Sequence, residues 1–232
     1  MIIFSKPKNE YEILKLYKVV DLETAKKFQT RDSIYLILEF LEFNYKMLPI
    51  NFDLNYGKKE WKNLKKFTEG FSKNDNDSTF NLTIYFASSK SVLSFSNDIL
   101  NSKDKLVSYI NITIALDKQF LHSETTLQFI KELNHFSEFD YGYGLRLNED
   151  FDFDSEQKLK KSSFGFSIST TVTKEDIELE KRKIDFKNGY VQKVYPLNIL
   201  NKNQIKLLDL DLYPNHKLSN FSDELSFFNL IL

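Results

Sequence analysis

The stretch Gly189 to Ile205, GYVQKVYPLNILNKNQI, constrains the fold more tightly than any other part of the chain. Gly189 supplies a turn, and Tyr190, Val191, Val194 and Tyr195 suit an extended strand. Pro196 stops that strand, because its ring fixes φ and biases Tyr195 toward extended geometry, so the chain should leave the sheet there. Leu197, Ile199 and Leu200 then make an apolar corner that something must cover. Asn201 is placed to cap a short helix through its side-chain oxygen, and Gln204 stands where a side chain reaches back to the cap. Strand, proline corner, apolar plug and capped turn form one unit. It holds no nucleophile, metal ligand or proton donor active near neutral pH, so it reads as architecture.

At 232 residues the chain suffices for one large domain or two small ones. A single domain of this size buries roughly 70–75% of its extended surface, enough for a core without staples. The absence of cysteine excludes disulfides, thiolate zinc sites and a cysteine nucleophile. The apolar run Ile2–Phe4 is too short for a signal peptide, and no run approaches the roughly 18 apolar residues of a spanning helix. The expectation is a cytoplasmic protein with no membrane partner. Acidic and basic residues balance at 33 and 32, and only Arg31, Arg146 and Arg182 are arginine. Neither the balance nor the scarcity of guanidinium forks fits a nucleic-acid partner. The wealth of Phe, Tyr, Asn, Lys and Ile is what an AT-rich coding sequence favours, and carries no functional weight.

Read in order, Glu10–Val20 is a first strand, and Asp21 caps a short helix from Leu22. Ile34, Ile37, Leu38, Leu41, Tyr45 and Leu48 form one helical stripe, ended by Pro49. Lys58–Phe71 reads as a second helix, with Trp61, Leu64, Thr68 and Phe71 inward and five lysines outward. The polar loop Ser72–Ser78 is an excursion within one domain. Phe80–Ala87 and Ser91–Ser96 pair as a hairpin, and Val107–Leu116 is the clearest strand. Ser123 caps a helix to Phe136 whose inner face is Leu127, Ile130, Leu133 and Phe136. Phe139–Leu145 is a turn in which Gly142 and Gly144 permit positive φ. Ser162–Thr173 is a long β segment, Lys174–Lys183 a charged helix, and Leu225–Ile231 a buried last strand. The fold class is therefore α+β: a mostly antiparallel sheet with helices packed against it in a single domain. Residues 1–71 are helix-rich, 72–79 a polar loop and 80–232 sheet-rich.

From Ser137 through Gln157 seven carboxylates face Arg146 alone, a net charge of −6. The dense part is Asn148–Glu156, NEDFDFDSE. A calcium loop on Asp150, Asp152 and Asp154 fails, because Ser155 stands where glycine is needed and Lys161 where the last acid is needed. Alternating acids on one strand face would suit a metal-dependent hydrolase, given further ligands from elsewhere. A solvated loop or a docking surface for a basic partner are the remaining readings. Glu149, Asp150, Asp152, Asp154 and Glu156 are the candidate partner-binding residues. His122, His135 and His216 match neither a zinc helix nor a triad, and no cofactor motif is present.

From Tyr141 onward the chain resembles a family of bacterial immunity proteins, encoded beside toxins delivered between competing cells, including those of type VI secretion. The resemblance rests on Tyr141-Gly-Tyr-Gly144, Phe164-Gly-Phe-Ser-Ile168, Gly189 through Leu200 and the terminal apolar strand, with Trp61 after the first helices. Val194-Tyr-Pro-Leu-Asn198 is its best motif; many relatives carry arginine–aspartate just before it, where this chain has Gln192-Lys193. The resemblance implies an inhibitor, not an enzyme, that binds a cognate toxin and presents acidic groups to it. The alternative is a metal-dependent hydrolase built on residues 149–156.

Overall fold

Burial along the strands shows where the sheet is covered on both sides. The computed structural model describes residues 10–22, 30–71, 79–87, 91–102, 105–148, 150–152, 156, 158, 160–161, 168–169, 174–220, 222 and 225–230. Strand β1 (Glu10–Asp21) is buried at nearly every position, whereas β4 (Phe80–Phe86) alternates, with Leu82, Ile84 and Phe86 inward and Tyr85 outward. Continuous burial marks a strand sandwiched between two layers, and alternation marks one with a solvated face.

The remaining strands are β2 (Pro49–Leu54), β3 (Lys59–Trp61), β5 (Val92–Ser102), β6 (Lys105–Leu116), β7 (Tyr141–Asn148), β10 (Leu197–Asn201), β11 (His216–Asn220) and β12 (Leu225–Leu230). They join β1 and β4 in one ten-stranded sheet of order β11-β12-β10-β7-β1-β6-β5-β4-β2-β3, antiparallel throughout. β8 (Lys160–Lys161) and β9 (Ile168–Ser169) form a separate two-stranded ribbon. Helices α1 (Thr30–Tyr45), α2 (Leu64–Phe71) and α3 (Glu124–Ser137) supply the core on one face, where Ile37, Leu41, Phe67 and Ile130 meet Leu14, Leu16 and Ile112. On the other face Phe186, Tyr190 and Tyr195 cover Tyr17, Tyr141 and Tyr143. Phe186 belongs to a 3-10 turn, Lys183–Asn188, that follows α4 (Lys174–Arg182), and α5 (Lys202–Leu207) packs beside that turn.

The α+β expectation holds, and several local readings shift. The strand lies after Pro196, not before it. Asn198 is fully buried; its side chain accepts from Tyr195 N (2.9 Å) and donates to Tyr195 O (2.6 Å) and Phe228 O (3.1 Å). Both backbone groups of Tyr195 are thereby used, so it cannot enter a ladder, and β10 begins at Leu197. The expected capping box at α5 is present: Asn201 accepts from Asn203 N and Gln204 N, and Gln204 accepts from Asn201 N.

Gly142 and Gly144 do not turn the chain; they lie inside β7, without positive φ. Their glycine identity answers close packing. A Cβ on Gly142 would stand 2.8 Å from Leu16 Cδ2 and 3.0 Å from the Lys15 carbonyl, and one on Gly144 would stand 2.7 Å from Leu121 Cδ2. Tyr141 and Tyr143, which alternate with them, occupy the opposite face, as period two requires.

The helix expected over 58–71 begins only at Leu64. Asn55, Tyr56 and Gly57 take positive φ and turn β2 into β3, which places Trp61 opposite Phe52. In α3 the buried set is Thr126, Phe129, Ile130, Leu133 and Ser137, the 3.6-residue period; a step of three drifts around the helix and leaves Phe136 exposed. The polar loop 72–78, the helix after Leu22 and residues 162–167 and 170–173 of the long β segment lie outside the described residues. Gly142→Ala should cost roughly 1–3 kcal/mol in urea denaturation, since the Lys15 carbonyl cannot yield. Unchanged stability would mean that β1 and β7 can separate.

Candidate functional site

Pairing in the centre of the sheet places Lys15 between Thr113 of β6 and Tyr143 of β7, on the aromatic face. Lys15 is only 2% exposed, so its ammonium has left bulk water and needs compensation. Glu156 brings it. The Glu156 carboxylate accepts from Lys15 Nζ (3.3 Å) and Tyr143 OH (2.6 Å) at Oε1, and from Tyr195 OH (2.9 Å) at Oε2. Tyr143 thus spends its proton on Glu156, so Tyr17 is the donor in the 3.2 Å contact between their hydroxyls. The rings of Tyr143 and Tyr195 stack at 3.9 Å, nearly parallel. Glu156 holds this position with φ of 59°, an uncommon conformation for a non-glycine residue.

Burial pushes the Tyr143 phenol well above its ordinary value, helped by Tyr17 and the Glu156 charge. The Tyr195 phenol is raised too, first by burial and then by Glu156. Both remain protonated donors through the neutral range. Lysine, carboxylate and three phenols form a closed, hydrogen-bonded set that clamps residue 156 to the sheet.

The acidic stretch therefore divides. Asp140, at the start of β7, is buried, accepts from Val19 N (2.7 Å) and lies 3.8 Å from Lys18 Nζ. Burial raises its carboxyl, with Lys18 and the Val19 amide opposing. Eight residues of strand, roughly 26 Å, separate it from the acids after Asn148. Of the candidate residues, Asp150 and Asp152 are half-buried in a turn, Phe151 bridges Lys158, and each aspartate is engaged in an interaction of its own. Glu156 faces inward. Glu149 and Asp154 lie outside the described residues. Asp150 and Asp152 do not lie on a strand, and among the described residues no three His, Asp or Glu side chains gather as a metal-binding group. Arg146 is committed to Glu12, donating from Nε at 2.7 Å, while Glu12 also accepts from the amides of Phe120 and Leu121 and so ties down the approach to α3.

His122 and His135 are exposed at opposite ends of α3, and His216 stacks on Phe228. Sequence reasoning missed Lys15, Tyr17, Tyr143 and Tyr195 as one cluster. A lysine at a core-facing position of a central strand was the available signal. It also missed a cleft of about 660 Å³ between α3, the start of β7 and α5.

No family model matches the sequence, and no curated protein matches it significantly. Among solved structures, the chain is similar to a Pseudomonas aeruginosa T6SS protein, PA0821, at a TM-score of 0.54 and 11% identity, over 95% of this chain and 67% of that one. The likeness is one of fold and spans nearly the whole chain. Among the described residues no helix is long and apolar enough to cross a membrane.

Glu156→Ala should cost about 3 kcal/mol or more in urea denaturation, because a buried ammonium loses a counter-charge. Lys15→Met combined with Glu156→Gln should lose less than the two single changes added together. Additive losses would mean that the two groups do not act as a pair. The phenols predict alkaline behaviour of definite sign. In the unfolded chain Tyr143 and Tyr195 ionise near 10.0, whereas the folded chain keeps them protonated. Their contribution is complete below about pH 10 and is lost as the pH rises further. Tyrosinate absorbance from these rings should appear together with loss of circular dichroism; ionisation preceding unfolding would contradict the clamp.

Proposed function

We propose that the protein is an immunity protein that binds a cognate secreted bacterial toxin stoichiometrically and blocks it, acting in the cytoplasm without catalysis of its own. The observation that carries this reading is the seating of the acidic turn. Asp150 and Asp152 stand just before Glu156, whose carboxylate is fastened to Lys15, Tyr143 and Tyr195 in the middle of the sheet. A charged turn mounted on a rigid sheet gives up little conformational freedom when it docks. Its charge steers a basic partner, such as a nuclease with an exposed substrate groove, toward productive encounter.

Two further points support it. The residues that carry the family resemblance are used in building the fold: Tyr195 and Asn198 lock the proline corner, and Tyr141 and Tyr143 fill the aromatic layer. Such a motif maintains a scaffold while the contact surface stays free to vary with the toxin. The likeness in fold to a T6SS protein is in keeping with a role in contests between cells. The hydrolase alternative loses its strongest ligand, since both oxygens of Glu156 already accept hydrogen bonds from the clamp.

The protein should form a one-to-one complex with the product of a gene adjacent to its own and abolish that product's toxicity. Asp150→Lys with Asp152→Lys should slow association by about tenfold or more at low salt, read by stopped-flow, with a smaller effect at high salt. An unchanged on-rate at low salt removes the acidic turn from the interface. Cells that tolerate the toxin equally well after deletion of this gene would sink the immunity reading.

A further inference from the structure

The two edges of the ten-stranded sheet are built differently. One is β3, three residues long, two of them Lys59 and Glu60, and its neighbour β2 shifts register between Pro49 and Asn51. A short, charged strand beside an irregular one offers another chain little to pair with. The other edge is β11, five residues in unbroken register with β12. It contains no proline, and Lys217 is its one lysine or acid. Lys217, Leu218, Ser219 and Asn220 are all exposed. Away from β12, no described residue bonds the β11 backbone, so its outward N–H and C=O groups are left to solvent.

The strand is also held in place. His216 stacks on Phe228, with its Nδ1 2.6 Å from the Tyr213 carbonyl, and Asn220 accepts from the Ser226 hydroxyl at 2.6 Å. Both ends are thereby pinned, and a pinned edge loses little freedom when another strand joins it.

We infer that β11 pairs with β11 of a second copy, joining two ten-stranded sheets into one across a two-fold axis through Leu218. Charge and pattern select this occupant. In an antiparallel pairing about that axis Leu218 meets Leu218, Lys217 meets Ser219 and His216 meets Asn220. The lysines never oppose each other, whereas an axis through Lys217 would set two ammonium groups side by side. Residues equally far from the axis share parity, so outward groups of one copy meet outward groups of the other. Leu218, 38% exposed, covers its own counterpart. Five residues of strand span about 17 Å, which puts the contact at the small, transient end of interfaces. The dimer does not rest on the immunity reading, and its test needs no toxin.

The test is sedimentation equilibrium on the full chain, from about ten micromolar to about one millimolar. A reversible monomer–dimer equilibrium should appear, with concentration-dependent amide shifts confined to β11 and β12. Leu218→Lys and Leu218→Glu, each alone, should weaken the dimer by about tenfold or more, because each sets like charges on the axis. An equimolar mixture of the two should recover association, which a merely damaged fold would not give. The chain has no cysteine, so Leu218→Cys supplies a single thiol. Under mild oxidation it should cross-link to itself faster than Lys217→Cys does, since only position 218 meets its own copy. A monomer at every concentration, the result expected if β11 takes a strand of another protein instead, would overturn the inference. So would a dimer indifferent to charge at Leu218, no recovery in the mixture, equal cross-linking at the two positions, or shifts elsewhere.

Discussion

A lysine ammonium enclosed in the centre of a ten-stranded sheet has lost its water and needs a counter-charge or other polar partner. In this protein Glu156 supplies the charge from 141 residues along the chain, and it brings two phenols with it. An apolar residue at position 15 would pack as well or better, since buried ion pairs seldom outweigh their desolvation. What the charge supplies is a unique seat. One carboxylate at that point on the face bonds Lys15, Tyr143 and Tyr195 together, so the positions of Glu156 and of the Tyr195 corner are settled by the same set of bonds.

The rest of the second layer follows from that seat. Tyr195 lies flat on Tyr143, and its backbone is held by Asn198, which in turn grips Phe228 on the next strand but one from β7. Phe186 and Tyr141 continue the stack toward Tyr17. The covered part of this face ends near β6. Beyond it, β4 presents Asn81, Thr83 and Tyr85 where the central strands present tyrosines, and the sheet changes from sandwiched to one-sided. One sheet thus serves as a rigid interior on one side and as an open polar platform on the other.

Charge is distributed with the same polarity. Near-neutrality overall conceals an acidic turn after one end of β7 and a lysine-lined cleft at the other. Under the proposed role the acidic end meets a basic protein. Both features sit on elements whose backbone is fixed by buried side-chain bonds, Glu156 in one case and Asn201 in the other.

Local chemistry settled much by itself. The α1 stripe from Ile34 to Tyr45, the β4–β5 hairpin, β6, the Ser123 cap and the Asn201–Gln204 capping box depend on residues within a few positions of one another and were legible from periodicity and capping rules. Leu48 and Pro49, read as the end of that helix, lie beyond it, because Lys46 takes positive φ and Pro49 opens β2. Tertiary structure decided the rest wherever a distant partner outweighed a local preference. Tyr190–Tyr195 is strand-like in composition, yet Asn198 takes the backbone groups of Tyr195 and the Tyr143 ring takes its side chain. Gly142 and Gly144 read as turn residues, yet they lie extended in β7 between β1 and β10, and are glycine because Leu16 and Leu121 come too close for a Cβ. Glu156 reads as the end of a solvated acidic run, yet it is drawn inward by a lysine that period two alone places on a buried face. Sequence spacing cannot report such pairings, because the energy that selects them arises only when the two ends of the chain have met.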